Sequence, residues 1–349
     1  MFTRSLTCSP SRRPLRMIFG LLVALFVFVI ATTLSASRQL EGYLEDALTY
    51  DWNNNTQVTD EFPYPLTCKK SELHIFLEKN KFIPSNKKMG KQQQRRQQQQ
   101  QRKFSVAIAY HVGMVNNWKV IVYDQITTLK RCGLLDIADK LMISYSNGNK
   151  TDLDQVFDLG SYGNSMTIDT VESTKVPWEG PALNMIHQYC KKQPLPETSV
   201  VFYLHNKGAS KWSSDWKERM NMNQTRTYAH SLYWRKYLEY FLIESPALCL
   251  EKILLQNYST CAANWHPVLR NHYSGNFWSA SCKHIHNLKP MTNEDADYVA
   301  AEFWLGGYEG LDANQDHHAN LDFTTENLYL HVIKPESYIT TNYTKIRLP

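Results

Sequence analysis

Val200–Ser210 reads VVFYLHNKGAS: five apolar residues, then His205, Asn206 and Lys207, then Gly208 and Ser210. An uninterrupted apolar run of this length suits a strand covered on both faces, as in a parallel sheet. In open α/β sheets ligands gather at the carboxyl ends of such strands, so the exit of this strand is the first place to look for a site. Lys207 beside Gly208 suits a phosphate, because a point cation stands next to backbone that a ligand can approach closely. A polar strand-to-loop exit explains the same residues without any ligand.

The flanking sequence repeats the pattern. Upstream, Phe104–Tyr110 (FSVAIAY) and Lys140–Tyr145 are further short apolar runs. Between them, Trp118–Cys132 has helical periodicity through Ile121, Ile126 and Leu129, and Gly133 stops it. Ala182–Tyr189 reads as a helix that precedes the strand Ser199–Leu204. Downstream, Ser231–Ile243 and Pro246–Leu255 are amphipathic helices separated at Ser245-Pro246, and Thr260–Asn264 suits another strand. Asn293–Leu305 suits a helix with Glu294 and Asp295 in its first turn and Gly306-Gly307 after its end. Strands alternating with helices imply an α/β domain with a Rossmann-like, mostly parallel sheet flanked by helices, over residues 104–349.

The N-terminal third has a different character. Residues 1–16 contain Arg4, Arg12, Arg13 and Arg16 and no acid, and Met17–Ser35 is uncharged and rich in Leu, Val, Phe and Ile. As a helix that run spans about 28 Å, close to the hydrocarbon thickness of a bilayer. Ala31–Ala36 offers small residues to a signal peptidase, but the apolar run is long for a cleaved signal. Acids Glu41, Glu45, Asp46 and Asp51 follow on the far side of the run. The positive-inside rule then predicts a cytosolic tail (1–16), a transmembrane signal-anchor (17–36) and a lumenal stem (37–103). Lys91–Lys103, a Gln tract broken by Lys and Arg, belongs to that stem and has no apolar face to bury.

Cysteine and sequon content agree with a lumenal domain. Cys68, Cys132, Cys190, Cys249, Cys261 and Cys282 form an even set compatible with disulfides, and no CxxC pair points to zinc. Asn54, Asn149, Asn223, Asn257 and Asn342 each begin an N-x-S/T sequon. The whole chain has a formal charge of +5, but its basic residues concentrate before residue 104 and leave the rest at −3. That argues against a nucleic-acid-binding surface on the folded part.

Two more segments carry candidate chemistry. His272–Cys282 (HYSGNFWSASC) places Ser274, Gly275 and Asn276 before Phe277 and Trp278, so a turn is followed by an aromatic pair. Trp278 suits either a sugar-stacking face or the core. Glu302, among Ala300, Ala301, Phe303 and Trp304, is a carboxylate either paired structurally or displayed as a general base.

The order of YLHNKGAS, WRKYLEYF, HYSGNFWSAS and AEFW resembles a poorly characterised group within the glycosyltransferase-A superfamily of nucleotide-diphospho-sugar transferases. The resemblance covers about two hundred residues, from Phe104 to Gly307. It implies transfer of a hexose-like sugar from a nucleotide-sugar donor to a glycan, protein or lipid acceptor. It also implies a single-pass type II protein of the Golgi membrane with its catalytic domain in the lumen. His205, Asn206, Lys207 and Gly208 then contact the donor diphosphate; Ser274, Gly275, Asn276 and Trp278 contact sugar or acceptor; Glu302 is the base. In the superfamily the corresponding strand commonly ends in an Asp-x-Asp pair that holds a divalent metal. Here His205-Asn206-Lys207 stands in that place, which argues against a required Mn²⁺ or Mg²⁺ and leaves Lys207 to neutralise the diphosphate. Asp152-x-Asp154 and Asp295-x-Asp297 follow no apolar strand. Asp295, Asp297 and His331, the last within YLHVIKP, are the fallback ligands should a metal prove necessary. Two rival readings remain. One is a Golgi sulfotransferase, because Lys207-Gly208-x-Ser210 is similar to a phosphate loop; the other is a non-catalytic lumenal carbohydrate-binding protein.

Overall fold

The computed structural model describes residues 68, 70–80, 82, 104–157, 166–173, 179–209, 222–266, 271–291, 300–307, 317–319, 333 and 335–339, with backbone only at 222–230, 317–319 and 336. The chain divides into units Met1–Pro65 and Leu66–Pro349, and only the second contains described residues. The cytosolic tail, the signal-anchor, the Gln tract and Asn54 therefore lie outside the described residues. Among those described, no helix is long and apolar enough to cross a membrane.

The unit begins with helix α1 (Lys70–Lys79), whose Leu73 and Leu77 are buried in the main core. Ordered structure thus starts ahead of Phe104, and a disulfide from Cys68 to Cys132 ties this piece to the domain. The chain then alternates as its hydrophobic pattern requires. Strand β1 (Ser105–Gly113) leads into helices α2 (Trp118–Arg131) and α3 (Leu134–Ile137); strand β2 (Lys140–Ser146) leads into α4 (Lys150–Phe157). Strand β3 (Thr167–Glu172), α5 (Gly180–Lys191), β4 (Ser199–His205), α6 (Met222–Glu239) and α7 (Pro246–Gln256) follow. Short elements complete the order: β5 (Thr260–Ala262), β6 (Trp265–His266), β7 (His272–Tyr273), β8 (Trp278–Ser281), α8 (Cys282–Asn287), α9 (Ala300–Phe303), β9 (His317–Ala319) and α10 (Glu336–Ile339).

Seven strands form one sheet in the order β3-β2-β1-β4-β8-β5-β9. The β1 pairings with β2 and β4 are parallel, and so is β2 with β3. Strand β8 alone in this sheet runs against its neighbours, β4 and β5. The expected α/β architecture with a mostly parallel sheet is present.

Alternation along the strands divides the core in two. In β1, Val106, Ile108, Tyr110 and Val112 face one cluster, while Ala107 and Ala109 face the other. Strand β4 does the same with Val200, Phe202 and Leu204 against Val201 and Tyr203. The small alanines let α5 pack closely on the second face through Ala182, Leu183 and Ile186. Two more disulfides, Cys190–Cys282 and Cys249–Cys261, pin α5 to α8 and α7 to β5. Bridges of this kind typically contribute about 2–4 kcal/mol each by limiting the unfolded chain.

Two local differences from the sequence reading have physical causes. The helix expected over Ser231–Ile243 ends in a π-turn at Tyr240–Glu244, where Ser245 N donates to Tyr240 O at 2.9 Å, because Pro246 cannot continue the ladder. Strand β3 (TIDTVE) was not expected: it is an edge strand whose alternating exposure leaves no apolar run. Of the helix expected over Asn293–Leu305, Ala300–Phe303 is helical and Trp304–Leu305 is a turn, while Asp295 and Asp297 lie outside the described residues.

Candidate functional site

Strand β1 pairs with β2 on one side and β4 on the other, so the chain reverses its direction of travel across the sheet between β1 and β4. In open α/β sheets that is where a crevice opens beyond the carboxyl ends of the strands. His111 and His205 are register partners there, and strand alternation puts both on the α5 face. His111 Nδ1 lies 2.7 Å from Ser144 Oγ on β2, and His205 Nε2 lies 3.0 Å from the Gly275 carbonyl. Burial, followed by the Lys207 charge, lowers His205 to about 4. Burial lowers His111 to about 4 as well, against the opposing pull of Glu179. Both rings are neutral at pH 7.

Glu179 stands between His205 and the β7–β8 turn. It caps α5 with its backbone carbonyl, which accepts from Ala182 N and Leu183 N. Its Oε2 accepts hydrogen bonds from Tyr203 Oη and Asn276 Nδ2, both at 2.5 Å. Its Oε1 lies 3.9 Å from His205 Nδ1. Asn276 in turn accepts from Trp278 Nε1 at 2.9 Å. Gly275 and Asn276 both have positive φ, +93° and +53°. A Cβ on Gly275 would sit 2.6 Å from Leu238 Cδ1, so glycine is demanded by conformation and by space alike.

The His205-Asn206-Lys207 turn is held rigidly from beneath. Asn206 is buried, with Oδ1 accepting from Gly113 N and Nδ2 donating to Gly113 O. Its amide therefore staples β4 to β1 at the strand exit. Gln125 Nε2 donates to His205 O, and Arg235 Nη1 donates to Lys207 O, each at 3.3 Å. Lys207 Nζ lies 3.8 Å above the Trp234 ring, a cation–π contact, and its charge reaches His205. Gly208, at φ +92°, completes the turn; Ser210 lies outside the described residues.

Under this turn sits a buried ionic cluster that the sequence reading did not single out. Lys236 Nζ lies 2.5 Å from Asp124 and 2.9 Å from Glu239, and Arg235 Nε lies 3.2 Å from Glu239. Two cations thus balance two carboxylates. Burial pulls the Lys236 ammonium down, but Asp124 and Glu239 outweigh it and hold the group above its ordinary value. The WRKYLEYF segment supplies three members of this cluster and, through Arg235, anchors the turn above it.

The remaining sequence candidates divide. Glu302 on α9 is half-buried, and its charge acts on both His205 and Tyr203, so the fold brings it to the same crevice. Ser274 is half-buried, its backbone amide donating to Asn264 O. Trp278 is 1% exposed between Tyr203 and Trp304, so it offers no free face to a sugar and belongs to the core. Asp152 pairs with Lys119 and Asp154 with Lys150 at the surface. Among the described residues no group of three or more His, Cys, Asp or Glu could hold a metal ion; His331 lies outside them. Asn149 and Asn257 are exposed; Asn223 lies on α6, and Asn342 lies outside the described residues. A cavity of about 630 Å³ opens toward the amino-terminal end of β4, lined in part by Asn257, Ser281, Lys283 and Trp304.

A family model described as a domain of unknown function, DUF8361, matches residues 104–298, more than half of the sequence. This chain belongs to the DUF8361 family. The matched span of this DUF8361 protein includes Glu179, His205 and Asn276 and ends before Glu302. No curated protein matches it. Among solved structures, HddC from Yersinia pseudotuberculosis is similar at 11% identity and a TM-score of 0.30, covering 63% of the DUF8361 chain and 90% of its own. A likeness that distant supports no statement about fold or function. Glu179, Tyr203 and His111 were missed by sequence reading; only His111, a polar residue near the end of an apolar strand, left a signal that strand-end logic could have caught.

Proposed function

We propose that this DUF8361 protein transfers a sugar from a nucleotide-sugar donor to a glycan, protein or lipid acceptor in the Golgi lumen, held there by a type II membrane anchor. The observation that carries the reading is the convergence of Glu179, His205 and Asn276 at the carboxyl ends of β1 and β4, with the Lys207 cation beside them. The reaction needs positive charge at the leaving diphosphate and a group to take the proton of the attacking hydroxyl. Lys207 meets the first need from a turn whose carbonyls are already held by Gln125 and Arg235. Glu302 or Glu179 meets the second. No metal is assigned to the reaction.

Support for the compartment is independent of the site. All six cysteines that follow the apolar N-terminal run are paired in three disulfides, as an oxidising lumen permits. The deciding experiment incubates the purified full-length protein with a nucleotide-sugar panel, with and without glycan acceptors, and measures released nucleotide. Release with one donor, increased by acceptor, is expected. No release with any donor refutes the reading, and consumption of an activated-sulfate nucleotide instead would replace it with sulfotransfer.

A further inference from the structure

Glu179 and His205 present a pair of atoms whose chemistry is unusually definite. The donors Tyr203 Oη and Asn276 Nδ2 fix the Glu179 carboxylate through Oε2 and leave Oε1 turned toward His205 Nδ1, 3.9 Å away. The Gly275 carbonyl can only accept, so the hydrogen of the neutral His205 ring is on Nε2 and Nδ1 is a bare lone pair. Two acceptors thus face each other, too far apart to bond and with no hydrogen to share. Among the described residues, the charged and titratable groups around them do not remedy this. His111 turns Nδ1 to Ser144, Glu302 is another acceptor, Tyr203 already donates to Glu179, and Lys207 lies over Trp234. Glu179 and His205 keep 14% and 16% of their side-chain surface, so a ligand can reach them.

We propose that Glu179 Oε1 and His205 Nδ1 together bind a vicinal diol, one hydroxyl donating to each atom. Hydroxyls on adjacent sugar carbons are closer together than these two acceptors, so hydrogen bonds of about 2.8 Å reach both. The nearby Lys207 charge opposes an ammonium ligand but is indifferent to a neutral diol. The inference deepens the transferase reading, whose nucleoside ribose or transferred hexose would supply the diol.

Glu179→Gln provides a sharp perturbation because it is isosteric. Its carbonyl can accept from Tyr203 and Asn276 while its amide turns N–H groups, rather than an acceptor, toward the diol seat. The full-length protein, labelled with ¹⁵N at histidine rings, is titrated with UDP and GDP, with their 2′-deoxy counterparts, and with methyl glycosides of glucose, galactose, mannose and xylose. In the wild type the free-imine nitrogen of His205 should shift on adding a diol ligand. Removing one hydroxyl of the diol, or introducing Glu179→Gln, should weaken binding roughly tenfold to a hundredfold, as expected for a hydrogen bond to a charged group. The variant's melting temperature should hold or rise. A response to nucleotides that is lost with the 2′-deoxy forms identifies ribose; a response to glycosides identifies hexose. If no diol moves His205, or if Glu179→Gln lowers the melting temperature and leaves affinity intact, the proposal is overturned. Diol binding without donor turnover sinks the transferase reading alone, whereas turnover indifferent to Glu179→Gln sinks the diol seat alone.

Discussion

Mild acid should destabilise this protein, and the two histidines of the crevice set the size of the effect. Both are held neutral by burial, with His111 and His205 lowered from 6.5 to about 4. For a base whose folded pKa lies below its unfolded one, the unfolded chain binds more protons in the window between the two. Stability is therefore fully present above about pH 6.5 and falls as pH drops toward 4. Integrated from pH 7 to pH 5, each histidine contributes a loss of about 2 kcal/mol, so the pair costs about 4 kcal/mol. That is a large share of a typical folding free energy of roughly 5–15 kcal/mol. Ordinary carboxylates remain mostly ionised at pH 5 and add little in this range. The assay is urea unfolding at pH 7 and pH 5 with the disulfides intact, on the wild type and on the double variant His111→Gln/His205→Gln. The wild-type midpoint should drop further than the variant's, which keeps only the contribution of His187, also lowered by burial. A wild-type midpoint unchanged across the window, or an equal drop in the variant, would show that these rings are not buried neutral groups.

Four further outcomes test other parts of the structure. Lys207→Ala should weaken nucleotide-sugar binding roughly ten- to a hundredfold, in a form that survives EDTA. Its cost in stability should stay near 1 kcal/mol, the worth of the cation–π contact with Trp234; binding that is unchanged, or abolished by EDTA and restored by Mn²⁺, counts against the charge-neutralising role. Gly275→Ala should cost about 2–4 kcal/mol in urea unfolding, from positive φ and from a Cβ 2.6 Å from Leu238 Cδ1; a loss under 1 kcal/mol would mean the turn relaxes freely. Lys236→Met should cost about 3–5 kcal/mol, because Asp124 and Glu239 are left with Arg235 alone. Glycosidase treatment of the protein expressed in a eukaryotic secretory system should increase its gel mobility, with Asn149 and Asn257 contributing; no shift would refute the lumenal placement.

How far the sequence reveals this protein depends on which side-chain pattern is consulted. Strands β1, β2 and β4 announce themselves because burial on both faces demands an unbroken apolar run, and the polar exit after Leu204 marks where the crevice opens. Gly275-Asn276 is legible for a similar reason: few other residues tolerate positive φ, so a GN pair before an aromatic run signals a constrained turn. Trp278 misleads because aromatic residues serve core and binding surface equally well, and only packing against Tyr203 and Trp304 decides between them. Asp124 pairs with Lys236 across 112 positions, a separation at which no local periodicity reports an ion pair. Glu179 is the most instructive omission. It stands in VPWEGPA, a stretch whose sequence has neither strand nor helix periodicity, so nothing nearby marks it as different from any solvated acid. Its position follows from the helix it caps: Gly180 and Pro181 start α5, and α5 packs on the alanine face of β1, which aims the cap residue at the ends of β1 and β4. Glu302 lies within a short apolar helical stretch and so attracts attention from sequence alone. Of the two carboxylates, however, it is Glu179 whose hydrogen bonds to Tyr203 and Asn276 join β4, α5 and the β8 turn into one site.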